Sequence, residues 1–421
     1  MFGSSACPLV KAFLWRLKSH FRQDDAIKRA YCSLYNKDGL ENPPECLRDC
    51  KSMTLRYLLI ASSFLMSIVC GFIFIPLILN FCEKKGLYDL PNERKVHKNA
   101  IPRLGGISFM PSMLVAFVVA LLMSDNYTGE RQVTMSLWSC FFLVSLLLIY
   151  GVGIIDDLTG LGAKTKFTVQ IMAACLMPLS GLYINNLYGF CGINEIPAWV
   201  GMPLTVFIIV FIDNAINLID GIDGLAGGLS FLALGGFLLC FVRESLFTYS
   251  ILIAGLMGVL VPYLYFNVLG SVEKKQKIFM GDSGSLTLGF ILGFLFIKFA
   301  MDNPNVMPFR KDSLLLSFTM LIVPMIDVVR VVIARTMHRR PLFQADKNHI
   351  HHKLMRAGMT QHQALITILL LALAFTTINV TLSHLGYYDI TLIVLVDLLV
   401  FVLFMTMVNK RIRKNGAQPF V

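Results

Sequence analysis

Charge is scarce in this 421-residue sequence. Asp, Glu, Lys and Arg make up 15% of it, where soluble domains carry about 25%. That shortage excludes a disordered chain, a coiled coil and an ordinary soluble enzyme. Hydrophobic residues make up 56%, and mean hydropathy is +0.68. Soluble cores stop growing beyond about 250–300 residues, so the solvent left for this much apolar surface is lipid. Cys-x-x-Cys pairs are also absent, so neither a zinc site nor a thioredoxin-like motif is signalled. Of the ten cysteines, Cys70, Cys82, Cys140, Cys175, Cys191 and Cys240 lie in or beside apolar segments, and Cys7, Cys32, Cys46 and Cys50 lie near the N-terminus. Cys46 and Cys50 would pair only in an oxidising compartment, and unpaired thiols are the plainer reading. The first strong apolar run starts after residue 54, too late for a cleavable signal peptide.

What is abundant is the apolar run. Eleven are read, at roughly 55–82, 104–123, 136–155, 167–182, 200–219, 225–242, 247–267, 286–301, 313–334, 363–384 and 388–408. A crossing helix needs about 20 such residues. The expectation is an all-α, polytopic integral membrane protein with about eleven transmembrane helices. Its parts would be an N-terminal arm (1–54) of unknown role, a multi-span membrane domain (55–408) that carries whatever activity the chain has, and a basic tail (409–421).

The net charge of +11 would suggest nucleic acid in a soluble protein. Here the cations sort by side of the membrane, and no nucleic acid partner is expected. The loops 83–103, 156–166, 220–224, 268–285 and 335–362, with the tail, hold 21 Lys and Arg, whereas the alternate loops hold 4. The positive-inside rule puts the first set in the cytoplasm. The arm breaks the pattern: it should lie outside yet carries nine Lys and Arg with six acids.

Acidic motifs gather on the same side as the basic loops. Asp156-Asp157 closes the third run, and Lys166 opens the fourth. Adjacent carboxylates suit a hard divalent cation, and a lysine can hold a diphosphate as a point charge; a solvated turn with a snorkelling lysine is the simpler alternative. Asn214, Asn217, Asp220 and Asp223 recur every three residues, which on a helix makes one polar stripe. Such a stripe in an apolar helix must face the bundle interior or water. Gly281-Asp282-Ser283-Gly284-Ser285 precedes the eighth run. It would offer backbone N–H groups to phosphate, with Asp282 as a metal ligand, or serve only as an N-cap.

The loop 338–358 carries His349, His351 and His352 among Arg339, Arg340, Lys347, Lys353 and Arg356. Nearby cations oppose a bound zinc ion, so contact with a phosphate or nucleotide fits better. The loop 83–103, with Arg94, Lys95, His97, Lys98 and Arg103, suits either a lipid phosphate or positive-inside anchoring. Asp327 and Arg330 read as an ion pair inside the ninth span.

Taken together, Arg-Lys-Val-His…Ile-Pro-Arg-Leu-Gly-Gly, Asp156-Asp157 with Lys166, Asn214-Ala-Ile-Asn217-Leu-Ile-Asp220-Gly-Ile-Asp223-Gly, Gly281-Asp282-Ser-Gly-Ser and Asp346-Lys-Asn-His-Ile-His-His resemble the polyprenyl-phosphate N-acetylhexosamine-1-phosphate transferases, glycosyltransferase family 4. The matching pieces span residues 85–360; the arm 1–54 lies outside them. The branch that makes the muramoyl-pentapeptide lipid usually has Thr-Pro-x-Met-Gly-Gly where this chain has Ile-Pro-Arg-Leu-Gly-Gly. The sequence is more similar to the undecaprenyl-phosphate N-acetylglucosamine branch.

The resemblance implies an Mg²⁺ enzyme, with Mn²⁺ as a substitute, that joins a UDP-sugar to polyprenyl phosphate and releases UMP. It implies catalytic roles for Asp156, Asp157, Asp220, Asp223, His349 and His351. It implies substrate binding by Lys166, Asn214, Asn217, Lys95, His97, Arg103, Arg340 and His352, and metal binding by Asp282 with Asn217. Membrane lipids are expected partners, a homodimer is compatible with the family, and the expected place is the bacterial inner membrane with the site facing the cytoplasm. Because a phosphate monoester has a second pKa of about 6, the lipid phosphate is largely ionised at neutral pH, and Asp157 is expected to organise the site more than to act as a base. Two other readings compete. A secondary transporter predicts charges near the midplane and inverted repeats; the acids lie at one face and no repeat is visible. A lipid scaffold predicts that the acids are dispensable.

Overall fold

The computed structural model describes residues 45–88, 100–128, 137–304, 306–339 and 348–418, with backbone only for 45–52 and 125–128. The arm before residue 45, the side chains of Cys46 and Cys50, and the expected substrate contacts Lys95, His97 and Arg340 lie outside this description. Two compact units are distinguished, 1–59 and 60–421, and the site lies wholly in the second.

The apolar runs fold as helices: α1 (Glu45–Lys85), α2 (Phe109–Thr128), α3 (Leu137–Thr159), α4 (Ala163–Leu179), α5 (Ala198–Ile219), α6 (Leu225–Arg243), α7 (Phe247–Leu264), α8 (Gly281–Ala300), α9 (Ser313–Met320), α10 (Ile322–Met337), α11 (Ile350–Arg356), α12 (Gln361–His384) and α13 (Ile390–Lys414). A short hairpin, β1 (Asn186–Phe190) with β2 (Ile193–Glu195), fills the loop before α5. The all-α, polytopic class is observed. Among the described residues nine helices are long and apolar enough to cross a bilayer, or ten if the bent pair α9–α10 is one span, rather than eleven. The remaining run forms α4, whose 17 residues reach about 25 Å at 1.5 Å per residue, short of a hydrocarbon core about 30 Å thick. The 73° bend between α9 and α10 falls just before Pro324, which has no N–H for the carbonyl four residues back.

Lipid and core divide the helices. Leu65, Leu77, Leu370, Leu395 and Leu399 are exposed on α1, α12 and α13, as hydrocarbon-facing positions should be. Every residue of α8 from Ser283 to Ala300 is buried. Small residues let backbones approach closely in such packing. A Cβ on Gly106 would lie 2.1 Å from backbone atoms of Gly284, which cannot withdraw without moving α8. Gly106→Ala is therefore expected to destabilise the protein by about 1–3 kcal/mol, seen as a lower thermal midpoint in detergent. An unchanged midpoint would show that the two backbones separate freely.

The far end of α8 is fixed differently. Lys298 is fully buried with no hydrogen-bond partner, and its ammonium stands 3.9 Å from the centre of the Trp138 ring at the start of α3 and 5.2 Å from that of Tyr249, so cation–π attraction supplies its partners.

Two features near the start of α8 shape the site. The segments 102–106 and 279–280 are laced by Phe279 N–H to the Pro102 carbonyl (2.7 Å), Gly105 N–H to Phe279 (2.9 Å) and Gly106 N–H to Met280 (2.8 Å). After α7, a π-helical turn over Tyr265–Leu269 presents Asn267 inward. Its side-chain carbonyl accepts from Gly224 N–H (2.6 Å), and its amide donates to the Ile278 carbonyl (2.8 Å). Asn267 thus braces the turn after α5 against the strap that leads into α8.

Candidate active site

The residue spacing that predicts a helical stripe through Asp223 is overruled by glycine. Helix α5 ends at Ile219, Asp220 takes a non-helical conformation, and Gly224 adopts φ +78° before α6 begins. Asn217 is still on the helix, whereas Asp220 and Asp223 sit on the turn beyond it. Asn214 faces elsewhere: its amide donates to Gln170 (3.1 Å) and to the Val210 carbonyl (2.7 Å). Gln170 in turn donates to the buried Asp213 (3.0 Å).

A cavity of about 410 Å³ collects Arg103, Asp156, Asp157, Asn217, Asp220, Asp223, Asp282 and His352. The last turn of α3 supplies Asp156 and Asp157. Asp156 accepts from Leu161 N–H (2.6 Å) and from Lys166 (3.3 Å). Lys166 also donates to Asp282 (2.6 Å), so one ammonium bridges two carboxylates from α3 and α8. The amide of Asn217 donates to the other Asp282 oxygen (3.1 Å) and to the Ser285 hydroxyl (2.8 Å).

Asp157 is placed otherwise. Its two oxygens accept from the backbone N–H groups of Asp282 (2.8 Å) and Ser283 (2.9 Å). Gly281-Asp282-Ser283 is the first turn of α8 rather than a loop before it, and two of the N–H groups expected to meet a phosphate are taken by Asp157. Gly281 has φ +73°, and a Cβ there would lie 2.0 Å from the Arg103 carbonyl and 2.5 Å from Asp157; no other residue type fits this seat. Arg103 closes the ring by donating to the Asp157 carbonyl (2.8 Å).

Asp220 also lines the cavity, and its carboxylate accepts no hydrogen bond among the described residues. Burial, then the charges of Asp282, Asp223 and Asp157, push its carboxyl up to about 7. Asp223 pairs with Lys277 (2.7 Å), a contact the sequence does not signal because helices α6 and α7 lie between the two residues along the chain and no regular spacing links them.

The histidines separate in role of place. His352 lines the cavity. His349 sits behind the wall, bonded to Asp327 (2.8 Å), which also accepts from Arg330 (2.8 Å) and from Ile350 N–H (3.0 Å); the Asp327–Arg330 pair read from the sequence is present and anchors the histidine segment. His351 is buried, with both ring nitrogens unpartnered. Burial and the neighbouring His352 push its pKa down to about 3, so the ring is neutral. It packs on Gly221, where a Cβ would lie 2.1 Å from its Nε2.

Among the described residues no three His, Cys, Asp or Glu side chains stand close enough to hold a metal ion unaided. The reason is local: Asp157 faces amides, and Asp156 and Asp282 share Lys166. Even so, the cavity and its ion pairs bring five carboxylates against Arg103, Lys166 and Lys277. Mg²⁺ typically takes one or two carboxylates and completes its shell with water and substrate phosphates. Asp282 and the carbonyl oxygen of Asn217 fit that use.

The family model for glycosyl transferase family 4 matches residues 138–300, the stretch that carries all five of these carboxylates. The probable undecaprenyl-phosphate N-acetylglucosaminyl 1-phosphate transferase of Bacillus subtilis (strain 168) is 32% identical over 337 residues, covering 78% of this chain and 86% of that protein. The chain belongs to this family. The undecaprenyl-phosphate alpha-N-acetylglucosaminyl 1-phosphate transferase of Escherichia coli (strain K12) is 30% identical over 385 residues, covering 86% of this chain and 98% of that protein. Its counterpart from Yersinia pestis is 28% identical over 323 residues, covering 76% and 84%. This glycosyl transferase is thus a multi-pass membrane protein of the sugar-1-phosphate transferase class, and its matched region is the part of the fold that builds the acidic cavity.

Proposed function

We propose that this transferase moves N-acetylglucosamine-1-phosphate from UDP-N-acetylglucosamine to undecaprenyl phosphate and releases UMP, as the first membrane step of a cell-surface polysaccharide such as O-antigen or teichoic acid. The relatives' names support the substrates. The observation that carries the chemistry is Asp282, held between Lys166 and Asn217 in the lining of an acidic cavity. The cavity opens at the end of the spans bearing the basic loops, which supports a site facing the cytoplasm in the bacterial inner membrane.

Phosphoryl transfer needs chiefly positioning and neutralisation of charge. A bound Mg²⁺, held by Asp282 and Asn217, would supply that neutralisation for anionic substrates in a pocket of carboxylates. Lys166 is placed to shift from Asp156 and Asp282 to a substrate diphosphate. Asp157 holds the first turn of α8, and with it Asp282, in register. Asp156, Asp220 and Asp223 line the reacting space, and His352 reaches it from the histidine segment while His349 and His351 set that segment's path. Membranes containing the protein are expected to release UMP from UDP-N-acetylglucosamine only when Mg²⁺ and a polyprenyl phosphate are both supplied. Release without either, or preference for another UDP-sugar across a panel, would refute the assignment.

A further inference from the structure

Tyr263 lies in the last turn of α7, and its side chain is among the largest fully buried in the protein, with 1% of the residue accessible. It nevertheless lines the acidic cavity. Its hydroxyl forms no hydrogen bond with any described residue and is not among the wholly enclosed polar atoms, so the cavity is where this phenol meets a partner. The ring is seated tightly. A Cβ on Gly105 would come within 3.2 Å of its Cε2, and one on Gly227 within 3.1 Å of its Cε1. Phe109 packs edge-on against it, with ring centres 5.1 Å apart. Two backbones therefore bracket the hydroxyl and aim it into the cavity.

Asp220 and Asp223 line the same cavity and are the charged groups close enough to act on the phenol. They accept hydrogen bonds, whereas the phenol donates one. Asp223 is already paired with Lys277 and Asp220 stands unpaired, so this wall offers a phosphate little attraction, but a group that presents a carbonyl beside an N–H meets both needs. We propose that the Tyr263 hydroxyl is a specificity-determining donor for an amide or imide of the sugar-nucleotide substrate, with the carboxylates of the turn accepting the adjacent N–H. This rests on the substrate reading above, in which UDP-N-acetylglucosamine carries such a group twice: in the uracil ring and in the acetamido substituent.

Tyr263→Phe keeps the ring in its slot and removes only the hydroxyl. In the full chain, with Mg²⁺ and polyprenyl phosphate, the variant is expected to raise KM for UDP-N-acetylglucosamine roughly tenfold, the effect of one lost hydrogen bond, and to leave KM for the lipid phosphate unchanged. Inhibition by UMP then distinguishes the source. A parallel tenfold weakening places the hydroxyl on uracil. Unaltered UMP inhibition with a tenfold loss of preference over UDP-glucose places it on the acetamido group. Unchanged constants throughout would overturn the proposal, as would equal losses for both substrates with a lowered thermal midpoint, which would mark a packing role. A wild-type protein that releases no UMP would instead sink the substrate reading itself.

Discussion

Asp282→Ala is expected to abolish UMP release, a loss of about a thousandfold or more. Asp282 is where three supports converge: Lys166 on one oxygen, the Asn217 amide on the other, and Asp157 on its backbone N–H. Removing its carboxylate takes away the proposed cation ligand and leaves Lys166 with Asp156 alone. The loss should come without unfolding, because the backbone N–H groups of α8 remain bonded to Asp157. A variant with a wild-type thermal midpoint and near-wild-type turnover would refute the assignment of the site, whatever the identity of the substrates.

Asp157→Asn is expected to reduce turnover about a hundredfold. Both oxygens of Asp157 accept from N–H groups, and an asparagine would turn its own NH₂ against one of them. The first turn of α8 would shift, and a displacement of about 1 Å at a reacting centre is enough for such a loss. The deficit should persist at high pH, where all lipid phosphate is ionised, since the fault is one of placement. Trapping an acyl phosphate on Asp157 in the wild-type protein would contradict this account, because it would require a carboxylate oxygen free to attack.

The comparison of sequence with structure follows the same residues. Asp156, Asp157, Lys166, Asn217, Asp220, Asp223 and Asp282 were legible because ionisable groups at membrane boundaries are expensive and need a reason, and the cavity gathers them. The stripe from Asn214 to Asp223 was misread because periodicity alone does not register that glycines end α5; Asn214 instead joins Gln170. The start of α8 was hidden for the opposite reason. Gly281-Asp282-Ser283 has the composition of a loop, and its helical turn is supplied with acceptors by Asp157, more than a hundred residues earlier. Lys277, Asn267 and Tyr263 could not be found by spacing, since the π-helical turn after α7 and the laced strap at 102–106 decide where they point.

Helices α3 and α8 are fastened at both extremities: Trp138 receives Lys298 at one, and Asp157 receives the amides of Asp282 and Ser283 at the other. Two rivets make a ruler. A single residue inserted between Trp138 and Asp157 would rotate one rivet by about 100° relative to its mate, so both could not close together. Length itself, more than the identity of the side chains in between, is the quantity this pair of helices can least afford to change over evolutionary drift.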